Sequence, residues 1–254
     1  MSKATKIWLI TAMVLVALGA VLFTCVMAQY DWDFTKLSTV TYVTNAYEIN
    51  DEFDKISIHV DTTEIKFAPT ENETCSIVSF EAEKVKHSAT VQNGTLIIST
   101  VDTRKWYDHI CISLGSPQMT VYLPQNEYAS LFIETDTGNI NIPKDFAFDK
   151  IEIDGDTSDV NCFAPVANVL DIELSTGDIN IDSITAGQVN LTTTTGEIAV
   201  KSVTAKNNID IATDTGKVKL TNISCSNFVA ESDTGTITLK NVVATGSISI
   251  ESDT

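Results

Sequence analysis

Apolar and polar residues alternate along most of the second half of the chain, and the alternation repeats. Apolar residues stand seven and five positions before a recurring glycine, and two and four positions after it. In one unit these residues are Leu170, Ile172, Ile179 and Ile181, around Gly177. Alternation with a period of two predicts β-strands that bury one face. Each unit therefore predicts a strand, a tight turn and a second strand.

The units recur every 19–20 residues. One unit cannot bury its apolar face alone, so neighbouring units must stack. The sequence therefore predicts an all-β fold, a β-solenoid of the single-stranded β-helix type with rungs about 4.8 Å apart. A β-sandwich built of hairpins is the alternative, which the fixed register over six units disfavours. The repeat is anchored on Gly138, Ser158, Gly177, Gly196, Gly216 and Gly235.

The turn in each unit ends in Thr-Gly or its equivalent. Glycine adopts positive φ without steric cost, and a preceding Asp, Ser or Thr can accept a hydrogen bond from a backbone N–H two residues on. Asp-Thr-Gly is also the triplet of aspartic proteases, but Ser175 and Thr194 replace the Asp in two units. We therefore predict a structural turn rather than a catalytic site. Its residues are Asp136, Thr137, Gly138, Thr176, Gly177, Thr195, Gly196, Thr215, Gly216, Thr234 and Gly235.

The pattern divides the chain into four segments. Residues 129–254 are predicted to form the regular solenoid, which we expect to continue beyond Thr254 because the next Gly is due at the following position. Residues 51–128 are predicted to form an irregular cap or the first rungs, with a hairpin at Asn93-Gly94. Residues 29–50 have no clean period and are predicted to be a juxtamembrane stalk or a first covering strand.

The first 28 residues predict a membrane anchor. Residues 7–27 are apolar and uncharged, which is long enough to span a bilayer as a helix. Lys3 and Lys6 precede this stretch, so the positive-inside rule places the N-terminus in the cytoplasm and the solenoid outside a single-pass membrane anchor. A signal peptide cleaved after Ala28 is the alternative, although its apolar region is usually shorter.

The net charge and the cysteine spacing limit the partners and metal sites that the sequence predicts. A net charge of −18 disfavours nucleic acids and anionic membrane surfaces, which bind basic patches; basic cell-surface proteins, cations and neutral glycans stay open. None of the five cysteines forms a CxxC motif, so no zinc site is predicted. Disulfide pairing among the four cysteines outside the apolar segment is not deducible, and Cys162, at an inward position, is expected to be a buried thiol.

Metal-binding and catalytic alternatives have weak signals. Asp214, Asp233 and Asp253 would stack on successive rungs, where Ca²⁺ would relieve their repulsion, but the nonapeptide of calcium-binding solenoids is absent. No metal site and no cofactor are therefore predicted. A β-helix polysaccharide lyase or hydrolase is a further alternative, although the regular array contains neither Arg nor His.

One aromatic segment outside the array is a candidate partner surface. Trp106 and Tyr107 have the chemistry to stack on carbohydrate or to bind a protein. His109 and Cys111 would share one face if this segment were a strand, which makes a Cys–His dyad the only catalytic candidate. His59 and His87 stand alone in the sequence and are expected to have no special role. No catalytic residue is predicted.

The chain also resembles a known family. Phe53-Asp54-Lys55-Ile56-Ser57-Ile58, Asn93-Gly94-Thr95-Leu96-Ile97-Ile98, Val121-Tyr122-Leu123-Pro124 and the repeated Thr-Gly rungs resemble a bacterial adhesin-like domain of unknown function, which includes LiaG-like envelope proteins. The resemblance covers about residues 45–254. It implies a β-solenoid in the bacterial cell envelope without established catalysis. We therefore expect a non-enzymatic protein that acts by binding, in adhesion, as an envelope scaffold or in envelope-stress signalling.

Overall fold

The structure is a computed structural model that describes residues 2–253, apart from the side chain of Thr35. The chain divides into two compact units. The N-terminal unit comprises residues 2–41 and 105–115. The solenoid unit comprises residues 42–104 and 116–253.

The solenoid unit is one mixed sheet of 18 strands. The first seven are β1 Tyr42–Ile49, β2 Lys55–Thr62, β3 Glu64–Thr70, β4 Cys75–Ala82, β5 Val85–Gln92, β6 Thr95–Asp102 and β7 Gln118–Pro124. The next six are β8 Glu127–Thr137, β9 Ile140–Ile142, β10 Ala147–Thr157, β11 Val160–Cys162, β12 Val166–Thr176 and β13 Ile179–Asp182. The last five are β14 Thr185–Thr195, β15 Ile198–Ala205, β16 Asn208–Cys225, β17 Asn227–Ala244 and β18 Ile248–Ser252.

Parallel pairing builds the regular array. Ile153 pairs with Ile133 on one side and Ile172 on the other, one repeat away in each direction. The long strands β8, β10, β12 and β14 stack on one face and the short strands β9, β11 and β13 on a second. Every second side chain points inward into one hydrophobic core, and each fully buried Ile or Leu stabilises the fold by about 1.5–3 kcal/mol. The predicted all-β β-solenoid is confirmed, with about six turns.

The first rungs are stacked out of chain order. The β2–β3 rung pairs with β8 and β9 on one side and with β6 and β7 on the other. The β6–β7 rung therefore lies outside a rung that precedes it in sequence. Antiparallel pairs of β4 with β1 and β7, and of β5 with β6, close this end.

The structure shows the conformation of the Asn93-Gly94 turn and of residues 29–50. Asn93 and Gly94 have φ of 51° and 75° and connect the antiparallel strands β5 and β6, as their hairpin signal indicates. Residues 29–50, treated in the sequence as one stalk or covering strand, are divided between the units, because Tyr42–Ile49 is strand β1 paired along its whole length with β4.

The N-terminal unit contains helix α1, Lys3–Gln29, which is long and apolar enough to cross a membrane. Ser2 begins it by accepting a hydrogen bond from the Thr5 backbone N–H at 3.2 Å. Two 3₁₀ turns follow, Phe34–Leu37 and Trp106–His109. The two segments of this unit are joined where the Thr39 N–H donates to the Ile112 carbonyl at 2.9 Å.

Candidate functional site

The Thr-Gly corner is shaped by the approach of the preceding rung. A Cβ placed on Gly177 would lie 1.9 Å from the carbonyl oxygen of Ser158, and one on Gly235 would lie 1.6 Å from that of Gly216. Gly138 and Gly177 also have φ near 140°, whereas Gly216 lies within the continuous strand β16. Close backbone packing therefore explains glycine at Gly216 and Gly235 even where the left-handed conformation does not, although Ser158 takes the same position in one rung.

The backbone N–H groups at the corner donate hydrogen bonds to carbonyls of the next rung or to the side chain of the residue that follows the glycine. The N–H groups of Gly138 and Gly177 donate to threonine carbonyls of the next rung. The Asp178 N–H donates to Asp159 Oδ1 at 2.9 Å, and the Glu197 N–H donates to Asp178 Oδ1 at 2.7 Å. Carboxylate capping thus falls one position after the glycine. The sequence signal was the recurrence of Asn139, Asp159, Asp178 and Glu197 at that position.

The stacked aspartates of the same corner do not assemble a metal site. Asp214, Asp233 and Asp253 are exposed. Among residues 2–253, no group of three or more His, Cys, Asp or Glu side chains is arranged to hold a metal ion.

A second corner lies six residues after the glycine, and its residues were not identified from the sequence. Ser183, Ser202, Asn222 and Asn241 all have φ between 55° and 58°, a conformation that Asn tolerates better than most residues. The Asn241 side-chain amide donates to Asn222 Oδ1 at 2.9 Å. The recurrence of small polar residues at this offset was the available signal.

The long-strand face carries a dense set of carboxylates. We call the outward positions Glu134, Glu152, Asp154, Asp171 and Glu173 the acidic face. Asp154 pairs in register with Glu134 and Glu173, and Glu152 pairs with Asp171. Lys150 forms an ion pair with Glu152, and His59 Nδ1 forms a hydrogen bond with Glu134. Asp154, Asp171 and Glu173 have no such cation partner among the described residues.

The edge of this face holds a Ser–His–Glu arrangement. His59 Nδ1 lies 2.8 Å from Glu134 Oε2, and its Nε2 lies 2.8 Å from Ser57 Oγ. Because the carboxylate can only accept, Nδ1 carries a proton, and in the neutral form of the ring Nε2 accepts from Ser57. The order of groups is that of a hydrolase triad. However, β2 is hydrogen-bonded on both sides by β6 and β8, so its N–H groups are not available to stabilise an oxyanion.

A related cluster is buried at the closed end of the solenoid. Glu81 Oε2 lies 2.5 Å from His87 Nδ1, and His87 Nε2 lies 3.1 Å from Thr63 Oγ1. Tyr47 Oη and Asn45 Nδ2 donate to the other oxygen of Glu81. His59 and His87, which stand alone in the sequence, thus each contact a carboxylate and a hydroxyl in the fold, of which Glu134 and Thr63 are distant in the chain.

Hydrogen bonding sets the ionisation of this buried cluster. Burial raises the pKa of Glu81, but hydrogen bonds from Asn45, the His87 backbone, Tyr47 and the His87 ring outweigh it and hold the pKa below its usual value of 4.5. Burial and the bond to Glu81 raise the pKa of Tyr47 to about 12. Glu81 is therefore a buried carboxylate whose charge is stabilised by donors.

The cysteines form no disulfides and no reactive pair. All five are free, with Cys75, Cys162 and Cys225 buried and Cys25 and Cys111 exposed. Burial raises the pKa of the Cys162 thiol to about 12, so it stays protonated and unreactive. Cys111 and His109 do not share a strand face, because Trp106–His109 is a 3₁₀ turn.

Trp106 and Tyr107 lie together on the N-terminal unit. Their rings pack edge to face with centroids 5.8 Å apart, and Trp106 is 78% exposed. Ile110, Ile112 and Leu114 of the same segment are also exposed. The candidate partner surface predicted from Trp106 and Tyr107 is therefore accessible and wider than the two aromatic residues.

Comparison with solved structures finds chains that align with most of this one. A crystal structure of a proposed adhesin from Bacteroides fragilis is 16% identical, with 84% of this chain and 97% of that chain covered and a TM-score of 0.46. Proposed adhesins from Parabacteroides merdae and Parabacteroides distasonis are 12% and 13% identical. Their alignments cover 83% and 84% of this chain and 96% and 98% of theirs, with TM-scores of 0.45 and 0.44. At these values the likenesses carry no argument about function.

Sequence comparison identifies the family. Curated proteins give no match. The profile of the family described as Toastrack DUF4097 matches residues 53–254, a span that includes the rungs and the acidic face. The family resemblance of the sequence is confirmed, and this chain belongs to the Toastrack DUF4097 family.

Proposed function

We propose that the protein is a membrane-anchored, extracellular β-solenoid that acts by binding a cationic protein segment at the bacterial cell surface. The observation that carries the proposal is the acidic face. Carboxylates on adjacent rungs are about 5 Å apart, and each such pair repels by about 0.8 kcal/mol in water. A partner with clustered Lys or Arg would relieve this repulsion on binding.

The position of α1 supports the anchoring part of the proposal. Lys3 and Lys6 lie at its start and no Lys or Arg follows until Lys36, which favours a cytoplasmic N-terminus. The solenoid then lies outside the cell, where adhesion, scaffolding and stress signalling all require recognition rather than catalysis.

The binding part is tested with a labelled deca-lysine peptide and the full chain in detergent. Replacing Asp154, Asp171 and Glu173 by Asn, Asn and Gln is expected to weaken binding by about 10-fold at low salt, because three adjacent charges are removed. A control variant with Asn at Asp51 and Gln at Glu71 and Glu73, which are exposed and lie outside the long strands, changes the net charge equally and is expected to weaken binding by less than about 3-fold. Equal losses in both variants, or no binding by the wild type, would contradict the proposal.

The Ser57–His59–Glu134 arrangement favours a second candidate, ester hydrolysis at the edge of the same face. A neutral imidazole hydrogen-bonded to a serine hydroxyl is the minimum needed to activate a nucleophile. Turnover of p-nitrophenyl acetate by the full chain, compared with Ser57→Ala and with Ser76→Ala on a different strand, tests it. Activity lost only in Ser57→Ala would establish the second candidate over a purely binding role.

A further inference from the structure

The N-terminal unit exposes apolar side chains in an otherwise acidic, polar protein. In residues 105–115, Trp106, Ile110 and Ile112 are 78%, 82% and 51% exposed, and Tyr107 and Leu114 are each about half exposed. The segment contains one Lys and one Asp, so it has no net charge while the whole chain has −18. Solvent alone gives no reason for such a patch.

The residues that follow α1 have the same character. Tyr30, Trp32 and Phe34 are 40%, 53% and 53% exposed and begin one residue after the helix ends at Gln29. Asp31 and Trp32 have φ of 53° and 59°, and the Trp32 N–H donates to the Met27 carbonyl at 2.9 Å. The chain therefore reverses at the end of the helix. Trp and Tyr at this position are typical of a membrane–water interface.

Contacts within the unit place both aromatic segments at the same end of α1. The Phe34 ring lies 6.5 Å from the Phe23 ring of the helix. Ser38 Oγ and the Thr39 N–H both donate to the Ile112 carbonyl, and the Ile112 N–H donates to Thr39 Oγ1 at 3.0 Å. Residues 105–115 are thus attached to the segment that folds back beside the last turns of the helix.

We propose that residues 105–115 insert Trp106, Tyr107 and Ile110 into the interface of the outer lipid leaflet, as a second membrane contact beside α1. The occupant is the bilayer rather than a glycan, because the patch continues the aromatic segment at the end of a membrane-crossing helix. Its Trp and Tyr provide amphipathic rings for the headgroup level. Lys105, whose ammonium lies 5.9 Å from the Tyr107 ring centroid, adds a cation near lipid phosphates. This inference rests on the proposed anchoring by α1.

Quenching of tryptophan fluorescence tests the insertion in the full chain. Three variants each keep one tryptophan, Trp8, Trp32 or Trp106, with Phe at the other two positions. Each is reconstituted in phosphatidylcholine vesicles with and without bromine near the headgroup end of the acyl chains. We expect the emission of Trp106 to fall by about half in brominated vesicles, as for Trp32, because both indoles lie at the interface.

The outcomes separate the two proposals. Quenching of Trp8 or Trp32 without quenching of Trp106 would overturn the insertion but not the anchoring. If none of the three tryptophans is quenched, both proposals are overturned. Trp106 unquenched by lipid but protected from iodide by soluble peptidoglycan fragments would assign the patch to carbohydrate and overturn the insertion.

A charged substitution provides the matched control. In the Trp106-only variant, Ile110→Asp is expected to abolish lipid quenching, since a carboxylate at this site opposes insertion. Ile248→Asp changes an exposed isoleucine of the solenoid unit and is expected to leave quenching unchanged. Far-UV circular dichroism verifies that both variants are folded. Persistent quenching in Ile110→Asp would contradict the insertion.

Discussion

Residues 42–124 and residues 127–252 of the solenoid unit build the same two faces by different means. In the later region, each residue is paired with its counterpart 19 or 20 positions away, and the same contacts are repeated from rung to rung. In the earlier region the rungs are stacked out of chain order, and antiparallel strands close the end. The regular array therefore spreads its stability over many similar contacts.

The closed end instead depends on a contact that occurs once. Glu81 and His87 are 0% and 6% exposed and are held by strands β1, β4 and β5. The His59–Glu134 pair consists of the same two residue types, but it lies on the outer face, where both side chains are exposed to water. Comparing the two pairs teaches that burial, not the pair of residue types, decides whether an imidazole–carboxylate contact matters for stability.

The largest expected effect comes from removing the buried carboxylate. Glu81→Ala leaves His87, Tyr47 and Asn45 without their acceptor and is expected to destabilise the fold by about 3–5 kcal/mol. Urea unfolding of the detergent-solubilised chain, followed by circular dichroism, measures it. Glu134→Ala removes the exposed counterpart and is expected to cost less than about 1 kcal/mol. Similar losses for the two variants would invalidate the comparison.

A smaller effect is expected at a corner of the array. Gly177→Ala places a Cβ against the Ser158 carbonyl, and the shift needed to relieve this overlap is expected to cost about 1–3 kcal/mol. The same unfolding experiment applies. Ser175→Ala, two residues earlier and exposed, serves as the control and is expected to change stability by less than about 0.5 kcal/mol. If Gly177→Ala left the free energy of unfolding unchanged, the rungs would have to separate easily.

The second corner of the array is expected to be still more tolerant. Asn222 has φ of 57°, so Asn222→Ala is expected to cost about 1 kcal/mol, and Asn222→Gly less because glycine adopts this conformation freely. The midpoints of urea unfolding of the two variants give the difference. If Gly proved no better than Ala, the hydrogen bond to Asn241 rather than the backbone would explain the residue.

The smallest expected effect is a pH dependence confined to the closed end. The pKa of Glu81 is lowered in the folded state below its usual 4.5. Its contribution is therefore present above pH 4.5 and is lost as the pH falls through the folded pKa. Below pH 4.5, the stability of the wild type should fall towards that of Glu81→Gln. Glu134→Gln should keep the wild-type slope, and a Glu81→Gln variant with the same slope would contradict the assignment.

Sequence periodicity predicted the array because its interactions join equivalent positions of neighbouring repeats. The inward residues, such as Ile153 and Ile172, and the glycine corners were readable from a spacing of 19–20. The reason assigned to the glycine was incomplete, since the decisive factor at Gly216 and Gly235 is the carbonyl of the preceding rung. That distance depends on how closely the rungs stack, which no single unit specifies.

By itself, the amino-acid sequence determined the solenoid, its period and the apolar N-terminal helix, because alternation and length follow directly from side-chain burial. Tertiary structure alone decided the order of the first rungs, where β2 lies beside β8. It also decided the surroundings of the histidines, since Glu134 is 75 residues from His59. The joining of residues 105–115 to Thr39 belongs to the same class. These contacts join positions that share no repeat, so only the folded chain brings them together.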